Sequence, residues 1–209
     1  VATPRLELRY PDDDDAIALA DLAAQGVHPP EYMPFSFPWT DVAPPLQQVR
    51  TVQFLWRARA VLMPEAWSLP MAVVVDGELV GLQDLNNVDN ADFRVTGAVQ
   101  TGSWLGQAHQ GKGIGKEMRA AILHLAFAGL GAEVAFSGAF VDNHASIAVS
   151  RALGYEDDGF EVHVRKGEAV RQIRFRMERA AWEQRRRDDI DISGLEPCLP
   201  LLGLGTPPG

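Results

Sequence analysis

Gly106-Gln107-Ala108-His109-Gln110-Gly111-Lys112-Gly113-Ile114-Gly115-Lys116 is the stretch on which the fold turns. Directly after it, Met118, Ala121, Ile122, Leu125 and Ala126 recur at the i, i+3, i+4, i+7, i+8 spacing of one buried helix face. The spacing predicts a helix from Lys116 to Gly129, stopped by Gly129 and Gly131. Directly before it, Val95 to Leu105 reads as a strand with glycines at 97 and 102. A glycine-rich connection from strand to helix has four readings here. As a phosphate-binding P-loop, Gly106, Gly111 and Lys112 fit, but Gly113 stands where Ser or Thr must hold Mg²⁺. As a dinucleotide fingerprint, Gly111, Gly113 and Gly115 have the wrong spacing, with Lys116 in the third place. As Gln-x-x-Gly-x-Gly, Gln110, Gly113 and Gly115 bring backbone amides together at a helix N-terminus, which accommodates a pyrophosphate. The fourth reading is a turn with no ligand. Lys112 and Lys116 are two of only three lysines in the chain, and both lie at this loop.

Outward from the loop, the chain alternates elements. Leu6, Leu8 and Tyr10 alternate with charged residues in a half-buried strand. The run Asp12 to Asp15 then offers an N-cap and an acidic first turn rather than a metal site. Residues 26 to 45 are rich in Pro and aromatics, which predicts an ordered loop over apolar surface. A helix follows from about Pro45 to Leu62. Met71 to Val75 and Leu79 to Leu82 flank Asp76-Gly77, a strong hairpin signal. Residues 86 to 94 read as a polar turn. Downstream come a strand from Val134 to Val141, a helix from Asn143 to Leu153, a hairpin turning at Lys166-Gly167 and a short helix around Trp182. The order predicts mixed α/β architecture, with antiparallel hairpins flanking one helical crossover. Residues 1–183 form one domain in this reading, and 184–209 a tail packing on it or on a neighbouring subunit.

The chain has 209 residues and a formal net charge of −9. Such acidity argues against nucleic acid and anionic membrane as partners, since both need a basic surface. It leaves room for a small anion in a locally positive pocket. One cysteine, Cys198, excludes an internal disulfide and a four-thiolate zinc site, and fits a reducing, cytoplasmic setting. No His, Asp or Glu cluster has metal spacing, so no metal is expected. No run approaches the ~20 apolar residues that span a bilayer. Arginine outnumbers lysine by 16 to 3, a bias that suggests a GC-rich genome.

The segment Gly102 to Tyr155 resembles the GNAT acyl-CoA N-acyltransferases, in particular their RimJ/RimL-like branch. The matching pieces are Gly102-Ser103-Trp104-Leu105, Gln110 to Gly115, Asn143-His144-Ala145-Ser146-Ile147 and Leu153-Gly154-Tyr155. Pro34-Phe35-Ser36-Phe37-Pro38-Trp39-Thr40 and the tail look like those of an actinobacterial subgroup in which succinyl-CoA is implicated as donor. The resemblance implies a central mixed, mostly antiparallel sheet, splayed at the cofactor site and flanked by helices. Acetyl-CoA or succinyl-CoA would be the cosubstrate. Its pantetheine arm would lie in the splay against Trp104, Leu105 and Gly106. Its pyrophosphate would lie on the backbone amides of Gly111, Lys112, Gly113, Ile114 and Gly115, with Gln110 and Lys116 beside it. Asn143 would hydrogen-bond the pantetheine. The reaction implied is direct attack of a primary amine, on a small molecule or a peptide, on the thioester.

Many members of the family use a tyrosine seven residues after the Asn143 position to meet the leaving thiolate, but here that residue is Ser150. The RimJ/RimL-like branch places a serine three residues after the Asn, matched by Ser146. Its hydroxyl is the proposed donor to the sulfur, or else it caps its own helix turn. Asp84, beside the Trp104 strand, and His28, in the Pro-rich loop, are the candidate bases. Met33, Phe35 and Trp39 would wall the acceptor or acyl side, or form a lid over the core. His124 and His163 are expected at the surface. A homo-oligomer is compatible with this pattern. The competing functional reading is a GNAT-like module that holds acyl-CoA without turnover.

Overall fold

A computed structural model describes residues 1–88 and 91–205. Strand β1 (Glu7–Arg9) leads into α1 (Asp13–Ala24). The acidic run works as a cap: Asp12 Oδ1 accepts from the Asp15 backbone at 2.8 Å, and Arg9 forks onto Asp15 at 2.6 and 3.1 Å. After the Pro-rich segment come α2 (Leu46–Ala60), β2 (Ser68–Val75) and β3 (Glu78–Asn87). Asp76 and Gly77 join β2 to β3 with φ of 51° and 81°, the mirror-image turn that matches strand twist.

Residues 93–96, expected as the end of a turn and the start of a strand, form a helical turn, α3 (Phe93–Thr96), capped by Asp92 and ended by Gly97 at φ 59°. Strand β4 (Ala98–Leu105) therefore starts three residues later than its apolar pattern suggests. The expected helix is α4 (Ile114–His124), continued by a π-helical turn, Leu125–Gly129. Strand β5 (Val134–Phe140), α5 (His144–Leu153), β6 (Glu156–Arg165), β7 (Glu168–Glu178) and α6 (Arg179–Glu183) complete the chain before the tail.

The strands form one sheet in the order β1-β2-β3-β4-β5-β7-β6. All neighbours are antiparallel except β4 and β5. Helices cover both faces. Helices α1 and α2 bury Ala16, Leu19 and Leu55 against Ala72 and Leu82. The main core lies on the other face, where Met118, Ala121, Ile122 and Leu125 of the α4 region meet Val73, Leu85, Val99 and Ala135. The tail packs on that core: Ala2 and Asp191 exchange backbone hydrogen bonds at 2.8 and 2.9 Å, and Ile190 and Leu202 are buried. His124, expected on a polar flank, is 5% exposed and packs edge-on to Trp182, because α6 and the tail cover that side of α4. Among the described residues no helix is long and apolar enough to cross a membrane, and no group of acidic, His or Cys residues is arranged to hold a metal.

Candidate active site

Strands β4 and β5 pair in parallel only at Ala98↔Val134, Val99↔Ala135 and Gln100↔Phe136. Beyond that point they part, and the sheet opens into a wedge. The antiparallel ladder with β3 fixes what faces the wedge. Gly106 N donates to Val80 O at 3.0 Å, so the next hydrogen-bonded pair inward is Leu82↔Trp104. Trp104 and Gly106 thus turn their backbone groups to β3. Ser103 and Leu105 turn theirs to the wedge. The expected stretch Trp104 to Gly106 narrows accordingly to the backbone of Ser103 and the N–H of Leu105. The Leu105 carbonyl is already taken by Gln110 Nε2 at 2.9 Å, and the same amide reaches Val27 O at 2.8 Å. Gln110 therefore fixes the loop's entry by its side chain.

The glycine loop opens at the mouth of this wedge. Gly111 and Gly113 have φ of 73° and 80°, and Gly113 is the residue before the first turn of α4. That left-handed pair points successive amides outward, where Gly111, Lys112 and Gly113 are exposed. A Cβ on Gly115 would lie 3.9 Å from Leu105 Cδ1 and 4.0 Å from Val149 Cγ2, so the α4 start, the β4 end and α5 converge here. On α5, Asn143 Oδ1 accepts from Ser146 N at 3.1 Å. Asn143 is the cap of the helix by its oxygen, which leaves its amide nitrogen to donate. Ser146 contributes only its backbone to that cap, and its side chain is half-buried. Ser150, at the position of the missing tyrosine, is fully buried.

On the α1/α2 face the wedge is roofed by the Pro-rich segment. His28, Phe35, Trp39 and Trp104 form a continuous aromatic run, with centroid separations of 5.7, 5.3 and 5.8 Å. Both His28 ring nitrogens are engaged inside the segment, with Pro29 O at 2.8 Å and Thr40 Oγ1 at 2.6 Å. Met33 is buried, and its carbonyl accepts from Arg165. Arg165 also forks onto Asp142 at 2.6 and 3.0 Å, and Tyr32 joins Asp142 at 3.3 Å. The segment is therefore a strap, tied through Tyr32 and Met33 to Arg165 and to Asp142, the residue preceding Asn143.

Asp84 lies opposite Gly102 in the β3–β4 ladder, on the same face as Leu82 and Trp104. The spacing of Asp84 from Leu82 and Leu85 does not by itself fix that face; the register does. Burial pushes the carboxyl up from its ordinary value, against hydrogen bonds from Ser68 at 2.7 Å and Asn86 at 2.9 Å. A Cβ on Gly102 would meet nothing within 4 Å, so there is open space across from this carboxylate and beside Trp104. His109, by contrast, sits on the loop 3.7 Å from Glu78, away from Asp84.

The sequence matches the model of the acetyltransferase (GNAT) domain over residues 5–156. Solved structures superpose on most of the chain. An acetyltransferase of the GNAT family from Bacillus anthracis covers 86% of this chain and 98% of its own, at TM-score 0.68 and 15% identity. Mutant forms of the spermidine/spermine N-acetyltransferase SpeG from Vibrio cholerae cover 88% and 99%, at 0.66 and 15%. RimL, a ribosomal alpha-N-protein acetyltransferase solved with coenzyme A, covers 85% and 96%, at 0.65 and 19%. At these identities the structures show a shared fold.

Proposed function

Because the chain belongs to the GNAT acetyltransferase family, we propose that it transfers an acyl group from acyl-CoA to a primary amine by direct attack. The observation that carries this reading is the wedge between β4 and β5, opening onto a glycine loop at the start of α4. The family's cofactor fits what is here. The exposed amides at 111–113, the α4 terminus and Lys112 with Lys116 form a positive spot for the pyrophosphate. Ser103 and Leu105 offer an unpaired strand edge to the amides of the pantetheine arm.

The chain's residues then divide the chemistry. The Ser103 N–H, inward of Leu105 on the same strand edge, points into the wedge and would polarise the thioester carbonyl. The amine would approach from the strap face, over Trp104 and beneath Phe35 and Trp39. Asp84, with its raised proton affinity and the open space at Gly102, would take a proton from the arriving ammonium. His28 would help shape the strap rather than serve as base, since both nitrogens are engaged. Ser146 would donate to the sulfur. Acetyl-CoA and succinyl-CoA are the two donors to be compared. The acceptor is a small-molecule or peptide amine: the SpeG and RimL structures carry the names of enzymes of both kinds.

The test is twofold. Acetyl-CoA, succinyl-CoA and free CoA should each raise the melting temperature, and the largest rise marks the preferred donor. Amines added to the protein with that donor should release free CoA thiol. Stabilisation by CoA with no thiol release across a panel of polyamines, amino sugars and peptide N-termini would favour the non-catalytic module, which Ser150 in place of tyrosine keeps in view.

A further inference from the structure

Arg119 lies on α4 and is 5% exposed. Its guanidinium spans the wedge from below. Nη1 donates to Ser137 Oγ on β5 at 2.8 Å, and Nη2 to Ser103 Oγ on β4 at 3.1 Å. Ser137 is the first residue past the last parallel pair on its strand, and Ser103 the third past it on the other. The cation therefore sits at the narrow end of the opening, under whatever is held between the two strands.

This charge is uncompensated. Among the described residues no carboxylate is within ion-pairing distance of it, and its Nε is buried with no hydrogen-bond partner. Its other polar neighbour is the Tyr155 phenol, which also lies 3.5 Å from Thr101 Oγ1. Burial, against the pull of Arg119, holds the Tyr155 phenol above its ordinary value, so it is no counter-ion. An arginine keeps its proton inside proteins, and a buried cation with only hydroxyl partners is costly. A site that carries one is arranged for an anion that arrives or forms there. The phosphates are not that anion. They belong at the exposed loop, and Arg119 is five residues, about 7 Å, further along α4 than Ile114. What reaches the narrow end is the reacting end of the arm.

We propose that Arg119 is the counter-charge for the sulfur that leaves. As the amine nitrogen attacks the carbonyl carbon, the C–N bond forms and the C–S bond breaks. The bonding pair stays on sulfur as a thiolate, and the ammonium proton passes to the base. Arg119 keeps its own proton and stabilises the new negative charge from beneath, with Ser103 and Ser137 holding the guanidinium level across both strands. It supplies by charge part of what a tyrosine at position 150 would supply by proton.

The inference rests on the donor lying in the wedge, and one titration separates the two. The thiol of bound CoA is followed by thiolate ultraviolet absorbance against pH, for the wild type, Arg119→Lys and Arg119→Met. In the wild type it should titrate at least about one unit below free CoA in the same buffer. Arg119→Lys should keep most of that shift, and Arg119→Met should lose it, with kcat falling more than the donor's KM rises. A residue serving only as a strut would alter stability and CoA affinity without moving the thiol. The wild-type titration stands even if Arg119→Met does not fold. CoA bound with an unshifted thiol overturns this role alone. Absence of any CoA complex overturns the donor reading as well. A variant that changes only which acyl groups are accepted, with the thiol still shifted, also overturns it.

Discussion

Arg5 Nε donates to Glu117 Oε2 at 2.6 Å, and the same guanidinium reaches the Lys112 carbonyl at 3.4 Å. The segment before β1 thereby holds the glycine loop to the first turn of the helix it opens. Burial pushes the Glu117 carboxyl up, but hydrogen bonds from Thr3 and Arg5 outweigh it and leave it below its ordinary value of 4.5. Its contribution to stability is therefore present above pH 4.5 and lost as pH falls through the lower folded value. Glu117→Gln should cost about 1 to 3 kcal/mol at neutral pH, and the deficit should shrink in acid. Urea denaturation at two pH values measures it.

Gly113→Ala places a side chain on a residue at φ 80°. The left-handed conformation costs a non-glycine residue about 1 to 2 kcal/mol. The new Cβ would be 3.4 Å from Arg5 Nη2, a contact a mobile guanidinium relieves. Loss of CoA affinity beyond the stability change is expected, because relieving the strain rotates an amide away from the anion. Calorimetry against CoA reads it directly.

Asp84→Asn should lower kcat/KM for the amine by about a hundredfold and remove the acidic limb of its pH profile. Stability should move the other way. Because the folded carboxyl is raised above 3.8, the contribution of Asp84 itself is most favourable below that pH and is lost as pH rises through the folded value. The Asn variant should match or exceed the wild type's melting temperature at pH 7. Parallel rate and melting profiles separate a base from a structural acid.

Ser146→Ala should reduce kcat about 10- to 100-fold with little change in donor KM, since the helix cap uses Asn143 Oδ1 and only the Ser146 backbone. Unchanged turnover would remove Ser146 from the chemistry.

Asp142→Ala cuts the strap's anchor, a forked ion pair with Arg165 and a bond from Tyr32. KM for the amine should rise about two- to tenfold while CoA affinity holds. Steady-state kinetics with each substrate varied in turn would show the split.

The loop and its helix were legible because positive-φ glycines and a 3.6-residue period are local signals. The Asp76-Gly77 hairpin was legible for the same reason. The switch from α to π at Leu125 was not: the apolar period runs through Leu125–Gly129 unchanged, up to the helix end expected at Gly129. His124 looked like a polar flank until α6 and the tail covered it. Asp84 had no assignable face before its pairing with Gly102 was known. Arg119, next to Met118 on a charged stretch of helix, carries no sequence signal of burial. Its partners Ser103 and Ser137 come from two strands that only the fold brings together.

The parallel seam between β4 and β5 is three residue pairs long, and it is the only hydrogen-bonded join between two antiparallel blocks of the described sheet, β1 to β4 and β5 to β6. An extended ligand that pairs with Ser103 and Leu105 would act as a strand the chain does not encode, lengthening that join. Backbone amides of residues 103 and 105 should then exchange quickly with deuterium in the free protein and slowly once the wedge is filled. The sheet would be finished by its own substrate and unzipped again at each turnover.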